Sequence, residues 1–319
     1  MLIYILFVIG FFLLIKGADL LVDGASSVAR RMHISSIVVG LTIVAFGTSA
    51  PEFVINMVAT TNGNTEIAIG NIIWSNIANI FLILGISAII YPIAAKKQTV
   101  HHEIPFSLLA ALMLGVLAND YLIDGTSFSG LSRIDGLVLL SFFAIFFYYI
   151  WWVSRSNVHH EEVNNEVLLT PLKSCMYILG GLIGLVVGGK WIVDGAVHIA
   201  TLFKVSQSLI GLTVVAIGTS LPELATSAIA ALKKQTDIAI GNVVWSNIFN
   251  IFWILWASAV IRPLPFEATS NADILMAIAA SIILLVAMYT WVRHTLDKWQ
   301  WVLMVAIYGG YLTYLVSQA

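Results

Sequence analysis

A long segment of this chain occurs twice. Positions 20–92 align to 191–263 at a constant offset of 171, without a gap, and about half of the aligned pairs are identical. The identities concentrate in two polar strings set in apolar sequence. The first is GLTIVAFGTSAPE (40–52), matched by GLTVVAIGTSLPE (211–223). The second is IAIGNIIWSNIANIF (67–81), matched by IAIGNVVWSNIFNIF (238–252). A duplicated pair of apolar segments, broken by Gly, Pro and a carboxylate, points to a transport site shared between two halves.

The solvent for such a segment follows from composition. Of 319 residues, 60% are hydrophobic and only 10% charged, against about 25% charged in soluble domains. The apolar runs are helix-length and lack the short alternation of an outer-membrane barrel. The chain is therefore expected to be an all-α integral membrane protein. The net charge of −2 gives no reason to expect a nucleic-acid partner, and the single cysteine, Cys175, excludes an internal disulfide. The N-terminal run MLIYILFVIGFFLLIKG has no basic leader and reads as a first spanning helix.

Ten spans are predicted, near 2–24, 36–61, 67–91, 102–118, 134–153, 173–196, 207–232, 238–261, 271–291 and 298–317. The longest polar loop, 154–172, divides them into a first five-helix repeat (1–153) and a second (173–319). Five helices per half require the second repeat to enter the membrane from the opposite side. Basic residues, which collect on cytoplasmic loops, test this. Arg30 and Arg31 become Thr201 and Leu202; Asn62 and Gly63 become Lys233 and Lys234; Lys96 and Lys97 become Glu267 and Ala268. The bias swaps sides each time, Lys204 being the exception. The expectation is two inverted repeats in the plasma (inner) membrane, with both termini outside and 154–172 a cytoplasmic linker.

Of seventeen acidic residues, only Glu52 and Glu223 are expected deep inside spans, and they are repeat mates. A carboxylate at mid-membrane costs several kcal/mol unless it is paired or ligating. Each has polar company at helical spacing: Thr48 and Ser49 beside Glu52, Thr219 and Ser220 beside Glu223. Pro51 and Pro222 lack the ladder donor and are expected to free carbonyls near 45–47 and 216–218. In the second string Ser75 and Asn79 are four apart, as are Ser246 and Asn250, which should set those amide oxygens beside the hydroxyls. Asn76 and Asn247 read as interhelical hydrogen-bonders, with Asn71 and Asn242 nearby. Gly70 and Gly241 would permit close helix approach.

Carboxylates, hydroxyls, amide oxygens and freed carbonyls, with no Cys or His, select hard cations. A site charge of about −2 neutralises one Ca²⁺ or two Na⁺ and leaves three Na⁺ one charge in excess. Competition of the two ions for the same oxygens is a physical basis for exchange.

On these strings, GTSAPE with GNIIWSNIAN and GTSLPE with GNVVWSNIFN, the chain resembles the sodium/calcium exchanger family of cation/calcium antiporters. The resemblance implies ions held between the second, third, seventh and eighth helices. The implied ligands are Glu52, Glu223, Thr48, Ser49, Thr219, Ser220, Ser75, Ser246 and Asn79, with the carbonyls of Ala45 and Ala216. Asn250 departs from the family pattern, where many members carry Asp. The resemblance also implies that helices one and six slide across the site, and Gly180, Gly184 and Gly188 form a small-residue ridge suited to close packing.

The function expected is Na⁺/Ca²⁺ antiport by alternating access, with Ca²⁺ and Na⁺ as substrates, the bilayer as surroundings, no cofactor and no obligatory protein partner. The alternatives are Ca²⁺/H⁺ or other cation antiport and K⁺-dependent Na⁺/Ca²⁺ exchange; a channel or a membrane enzyme is the rival outside that class. His159, His160, Glu161 and Glu162 read as a solvated loop, His101 and His102 as surface residues, Asp23 and Asp194 as caps or turns. Trp74 and Trp245 are expected to pack around the cavity rather than in an interfacial belt.

Overall fold

The computed structural model describes residues 1–125, 129–156, 168–204, 216–290, 295 and 298–318. Its helices are α1 (Leu2–Arg31), α2 (Ser36–Thr48), α3 (Ala50–Thr61), α4 (Glu66–Ala78, continued through Asn79–Leu84 into Gly85–Ile90), α5 (Thr99–Leu117) and α6 (Arg133–Ser156). They continue as α7 (Pro171–Leu202), α8 (Ala216–Thr219), α9 (Leu221–Leu232), α10 (Thr236–Ile261), α11 (Asn271–Thr290) and α12 (Lys298–Gln318). Among the described residues, seven of these are long and apolar enough to cross a membrane, and α2 with α3 makes an eighth span bent by 44°. The chain is a mostly helical, multi-pass membrane protein. Of the expected span 207–232, only 216–232 is described. α12 covers the expected last span, but its Trp, Tyr and Gly content leaves it less apolar than the others.

The two most buried spans are those that carry the second polar string. α10 has 94% of its apolar window buried and α4, over Ala68–Ile90, has 78%, while the remaining unbroken spans reach at most 39%. The strings therefore occupy the middle of the bundle, and the other helices present apolar side chains outward. The duplication persists in the backbone. α2 stops at Ser49 (φ −81°, ψ 5°) and α8 stops at Ser220 (φ −86°, ψ 4°). Both α4 and α10 widen into π-helix at repeat-equivalent positions, Asn79–Leu84 and Asn250–Ile254.

α1 and α7 cross antiparallel along a glycine seam. A Cβ on Gly17 would lie 2.8 Å from Gly181 O, and one on Gly10 would lie 2.9 Å from Gly188 O. Gly184 and Gly188 join the seam as expected, but Gly180 does not: nothing lies within 4 Å of its Cβ position, and Gly181 takes its place. The reason is phase. Gly181 and Gly188 are seven apart and share the seam face, whereas Gly180 is turned away from it. A similar asymmetry separates Gly241, whose Cβ would meet Ile37 O at 3.2 Å, from Gly70, which has nothing within 4 Å. Close approach was expected at both and is found at one.

Loop contacts respect the expected alternation of sides. The strands β1 (Gly130–Leu131) and β2 (Leu264–Pro265) pair antiparallel, joining two loops expected outside. Ala94 bridges Thr295, joining two expected inside. Lys233 reaches Asp19 and Asp23 on α1, each at 2.6 Å. Asp23 and Asp194 are thus not caps, because α1 and α7 continue past them to Arg31 and Leu202. Asp194 pairs with Lys190 at 3.2 Å on its own helix.

Glu103 is a third fully buried carboxylate, after Glu52 and Glu223, among the described residues. It lies near a span end, where the acidic residues other than Glu52 and Glu223 are expected, and there its carboxylate accepts a 2.6 Å hydrogen bond from Tyr149 Oη. The chain starts to wind one turn earlier than expected, at Thr99, and a π-helical segment turns Glu103 inward. His101 and His102 are exposed as expected. Residues 157–167, with the His159–His160–Glu161–Glu162 cluster, lie outside the described residues.

Candidate functional site

The site forms where α2, α3, α4, α8, α9 and α10 converge. Pro51 and Pro222 sit in the first turns of α3 and α9. There the missing N–H has no intrahelical partner to lose, so each proline starts a helix instead of kinking one. Glu52 and Glu223 follow in those first turns, at the positive end of the helix dipole, where a carboxylate is favoured. Both are sealed from the surface, at 0% and 1% exposure. The expected freeing of carbonyls is not seen at Ala45: its oxygen accepts the Ser49 N–H at 3.0 Å and lies 3.3 Å from Thr48 Oγ1. The chain breaks at Ser49 after the ladder bond to Ala45 has closed. In the second repeat Ala216 opens α8, and the Ser220 N–H donates to Ile217 O at 3.2 Å.

The hydroxyls do not serve their own repeat's carboxylate, contrary to the spacing argument. Ser49 Oγ lies 2.9 Å from Glu223 Oε1 and 2.9 Å from Ser246 Oγ. In mirror image, Ser220 Oγ lies 3.4 Å from Glu52 Oε1 and 3.3 Å from Ser75 Oγ. The break at each serine swings its side chain off the Glu face and across to the other half. Two chains result, Glu223–Ser49–Ser246 and Glu52–Ser220–Ser75, each built from both repeats. Thr48 and Thr219 are buried in the same breaks.

The amides cross over too. Asn250 Nδ2 donates to Ser75 Oγ at 3.2 Å and to Asn76 Oδ1 at 2.9 Å. Asn79 Nδ2 donates to Asn247 Oδ1 at 2.9 Å. The expected pairing of Asn250 with Ser246 on its own helix is replaced although the backbone between them stays α-helical, the Asn250 N–H still bonding Ser246 O; the amide is taken up instead by Ser75 and Asn76 across the interface between the repeats. Asn76 and Asn247 bridge the helices as expected, Asn76 Nδ2 donating to Asn247 O at 3.1 Å.

These bonds consume donors and leave acceptors. Glu52 Oε2, Glu223 Oε2, Asn79 Oδ1 and Asn250 Oδ1 are all buried without a hydrogen-bond partner. They form two repeat-related pairs. A buried acceptor left unpaired costs about 1–3 kcal/mol, more when charged, so four together make an all-oxygen enclosure whose chemistry suits a hard cation. Every oxygen-bearing candidate read from the strings, from Thr48 to Asn250, lies in this region.

Sequence reasoning passed over two residues here. Asn56 Nδ2 donates to Glu52 O at 3.0 Å, and Ser227 Oγ accepts from Asn242 Nδ2 at 3.0 Å. They are repeat mates of different type, one turn after each glutamate, and that offset was the available signal. Trp245 is buried as expected and packs against Phe146, with ring centroids 5.5 Å apart.

A family model described as sodium/calcium exchanger protein matches residues 2–152 and 173–317. The chain is 36% identical over 303 residues to the uncharacterized membrane protein MJ0091 of Methanocaldococcus jannaschii, covering 95% of this chain and 94% of that one. It is 35% identical over 266 residues to the inner membrane protein YrbG of Escherichia coli, covering 81% and 79%. Among solved structures, the sodium-calcium exchanger NCX_Mj soaked with Na⁺ and Sr²⁺ superposes with a TM-score of 0.84 at 35% identity, covering 98% of each chain.

Proposed function

Because the chain belongs to the sodium/calcium exchanger family, we propose that it is a secondary antiporter that moves Ca²⁺ against Na⁺ by alternating access. The observation that carries this reading is the mirrored set of four orphaned oxygens on Glu52, Glu223, Asn79 and Asn250. An all-oxygen enclosure with two carboxylates suits hard cations. Its ligands are Glu52, Glu223, Thr48, Ser49, Thr219, Ser220, Ser75, Ser246, Asn79 and Asn250, with the carbonyls of Ala45 and Ala216. Either ion satisfies the same oxygens, so the two compete, and the charge of the loaded cage decides how many of each it takes.

On this reading the chain crosses the membrane ten times, as inverted halves 1–153 and 173–319 joined by a cytoplasmic linker, 154–172. The swapped basic residues and the side-matched loop contacts support that count. Both termini face outside, and the membrane is the plasma (inner) membrane, in keeping with the name of the Escherichia coli relative. The protein acts as a carrier and not an enzyme, with no cofactor and no obligatory protein partner.

The test is Ca²⁺ uptake into proteoliposomes under separately imposed Na⁺, K⁺ and H⁺ gradients. Uptake should require an outward Na⁺ gradient. Uptake indifferent to Na⁺ and driven by a pH gradient would replace this reading with Ca²⁺/H⁺ exchange, and a K⁺ requirement would make exchange K⁺-dependent.

A further inference from the structure

The two repeats differ at one junction beside the cage. In the second repeat, Asn242 on α10 is a three-way amide clamp. Its Oδ1 accepts from Thr48 Oγ1 at 3.0 Å, and its Nδ2 donates to Ser227 Oγ at 3.0 Å and to Glu223 O at 3.4 Å. It ties a hydroxyl of one half to the turn that carries the carboxylate of the other. In the first repeat the donor side of that clamp is open. Asn71, the mate of Asn242, has a buried Nδ2 with no partner. Asn56, the mate of Ser227, caps the Glu52 carbonyl from within its own helix at 3.0 Å, and its Oδ1 is buried and unpartnered.

An orphaned amide donor and an orphaned amide acceptor therefore stand on adjacent helices, at positions whose counterparts hydrogen-bond. Each costs free energy while unpaired, and their chemistries match. Inverted repeats exchange their conformations when such a protein turns from one face of the membrane to the other. We propose that Asn242 is a positioning residue for exchange, and that Asn71, with Asn56, takes over its clamp in the oppositely facing state. For the Thr48 hydroxyl proton Asn242 Oδ1, at 3.0 Å, is a nearer acceptor than Ala45 O, at 3.3 Å, and a proton directed there leaves the Thr48 lone pairs for an ion. In the other state the Asn71 amide closes onto Asn56 and the turn that carries Glu52 while Asn242 is released. The two asparagines then bias the access equilibrium in opposite directions. This inference rests on the antiporter reading above.

The experiment measures apparent Ca²⁺ affinity at each face, in right-side-out and inside-out vesicles. Because apparent affinity scales with the competent fraction, Asn242→Ala should shift the ratio of the two affinities by roughly three- to ten-fold. Asn71→Ala should shift it by a similar factor the other way. Asn56→Ser gives the first repeat the hydroxyl that Ser227 gives the second. It should move the ratio in the same direction as Asn242→Ala, and the effect should vanish in the Asn56→Ser/Asn71→Ala double variant. If the alanine variants do not fold, the Asn56→Ser arm decides alone. Shifts of the same sign from both asparagines, or an unchanged ratio with exchange intact, would overturn the proposal. Wild-type vesicles without Na⁺-driven uptake would instead overturn the antiporter reading.

Discussion

Ser49 Oγ rests 2.9 Å from Glu223 Oε1, so a hydroxyl of the first repeat supports the carboxylate of the second. The mirror contact, Ser220 Oγ to Glu52 Oε1, is longer at 3.4 Å. Neither half holds a finished site by itself, and the two crossings are unequal.

That inequality should appear in the binding of Ca²⁺. A hydrogen bond to a charged group is worth about 1.5–3 kcal/mol. Ser49→Ala should therefore weaken Ca²⁺ roughly 10- to 100-fold, and Ser220→Ala less. Na⁺-driven uptake titrated against Ca²⁺ measures both. Equal losses would mean that the crossings are equivalent when loaded.

Removing either carboxylate should be more severe. Glu52→Gln or Glu223→Gln halves the charge opposing a divalent ion, and each should lower Ca²⁺ transport by on the order of 100-fold or more. Isothermal titration with Ca²⁺ should show the same loss. Uptake near that of the wild type in either variant would remove these residues from the site.

The glycine seam predicts a contrast between neighbours in sequence. Gly181→Val places a branched side chain against Gly17 O, 2.7 Å from its Cβ. Overpacking of this kind costs about 1–3 kcal/mol, so the melting temperature in detergent should fall by several degrees and exchange should fail. Gly180→Val, which meets nothing within 4 Å, should melt within a degree or two of the wild type.

Lys233 ties α1 to the turn after α9 through Asp19 and Asp23, but it is only partly shielded from solvent. Such pairs contribute at most about 1 kcal/mol and weaken with salt. Lys233→Ala should lower the melting temperature slightly at low ionic strength and not at all in high salt. A deficit that persists in high salt would assign the effect to packing of the lysine stem.

The duplication made most of the site's membership legible from the chain. Glu52, Glu223 and their hydroxyl and amide neighbours are marked by recurring in polar strings where apolar sequence is expected. Their connections were not legible. Helical spacing pairs Ser49 with Glu52 and Asn250 with Ser246, and both inferences assume an unbroken α-helix. The break at Ser49 invalidates that assumption for the first pair, and for the second the winding holds but the Asn250 amide is drawn across to Ser75 and Asn76 of the other repeat. The burial of Glu103 was not legible either, because distance from a predicted span end says nothing about which way a side chain faces. Asn56 escaped notice since its mate is Ser227, and a search for identity overlooks partners that differ in type.

The widened turns at Asn79–Leu84 and Asn250–Ile254 carry a consequence for how much length change these helices tolerate. A π segment accommodates one extra residue within an α-helix, and each residue of an α-helix advances the azimuth by about 100°. Deleting any one residue between 80 and 84 would let the helix close to regular winding with Ser75 and Asn79 still in phase with the packing face of Gly85–Ile90, whereas a deletion in the regular stretch Glu66–Ala78 would rotate the residues before it by about that angle. The widened turn thus absorbs the residue that would otherwise put those two faces out of step, so a one-residue deletion between 80 and 84 should be tolerated far better than one between 67 and 78.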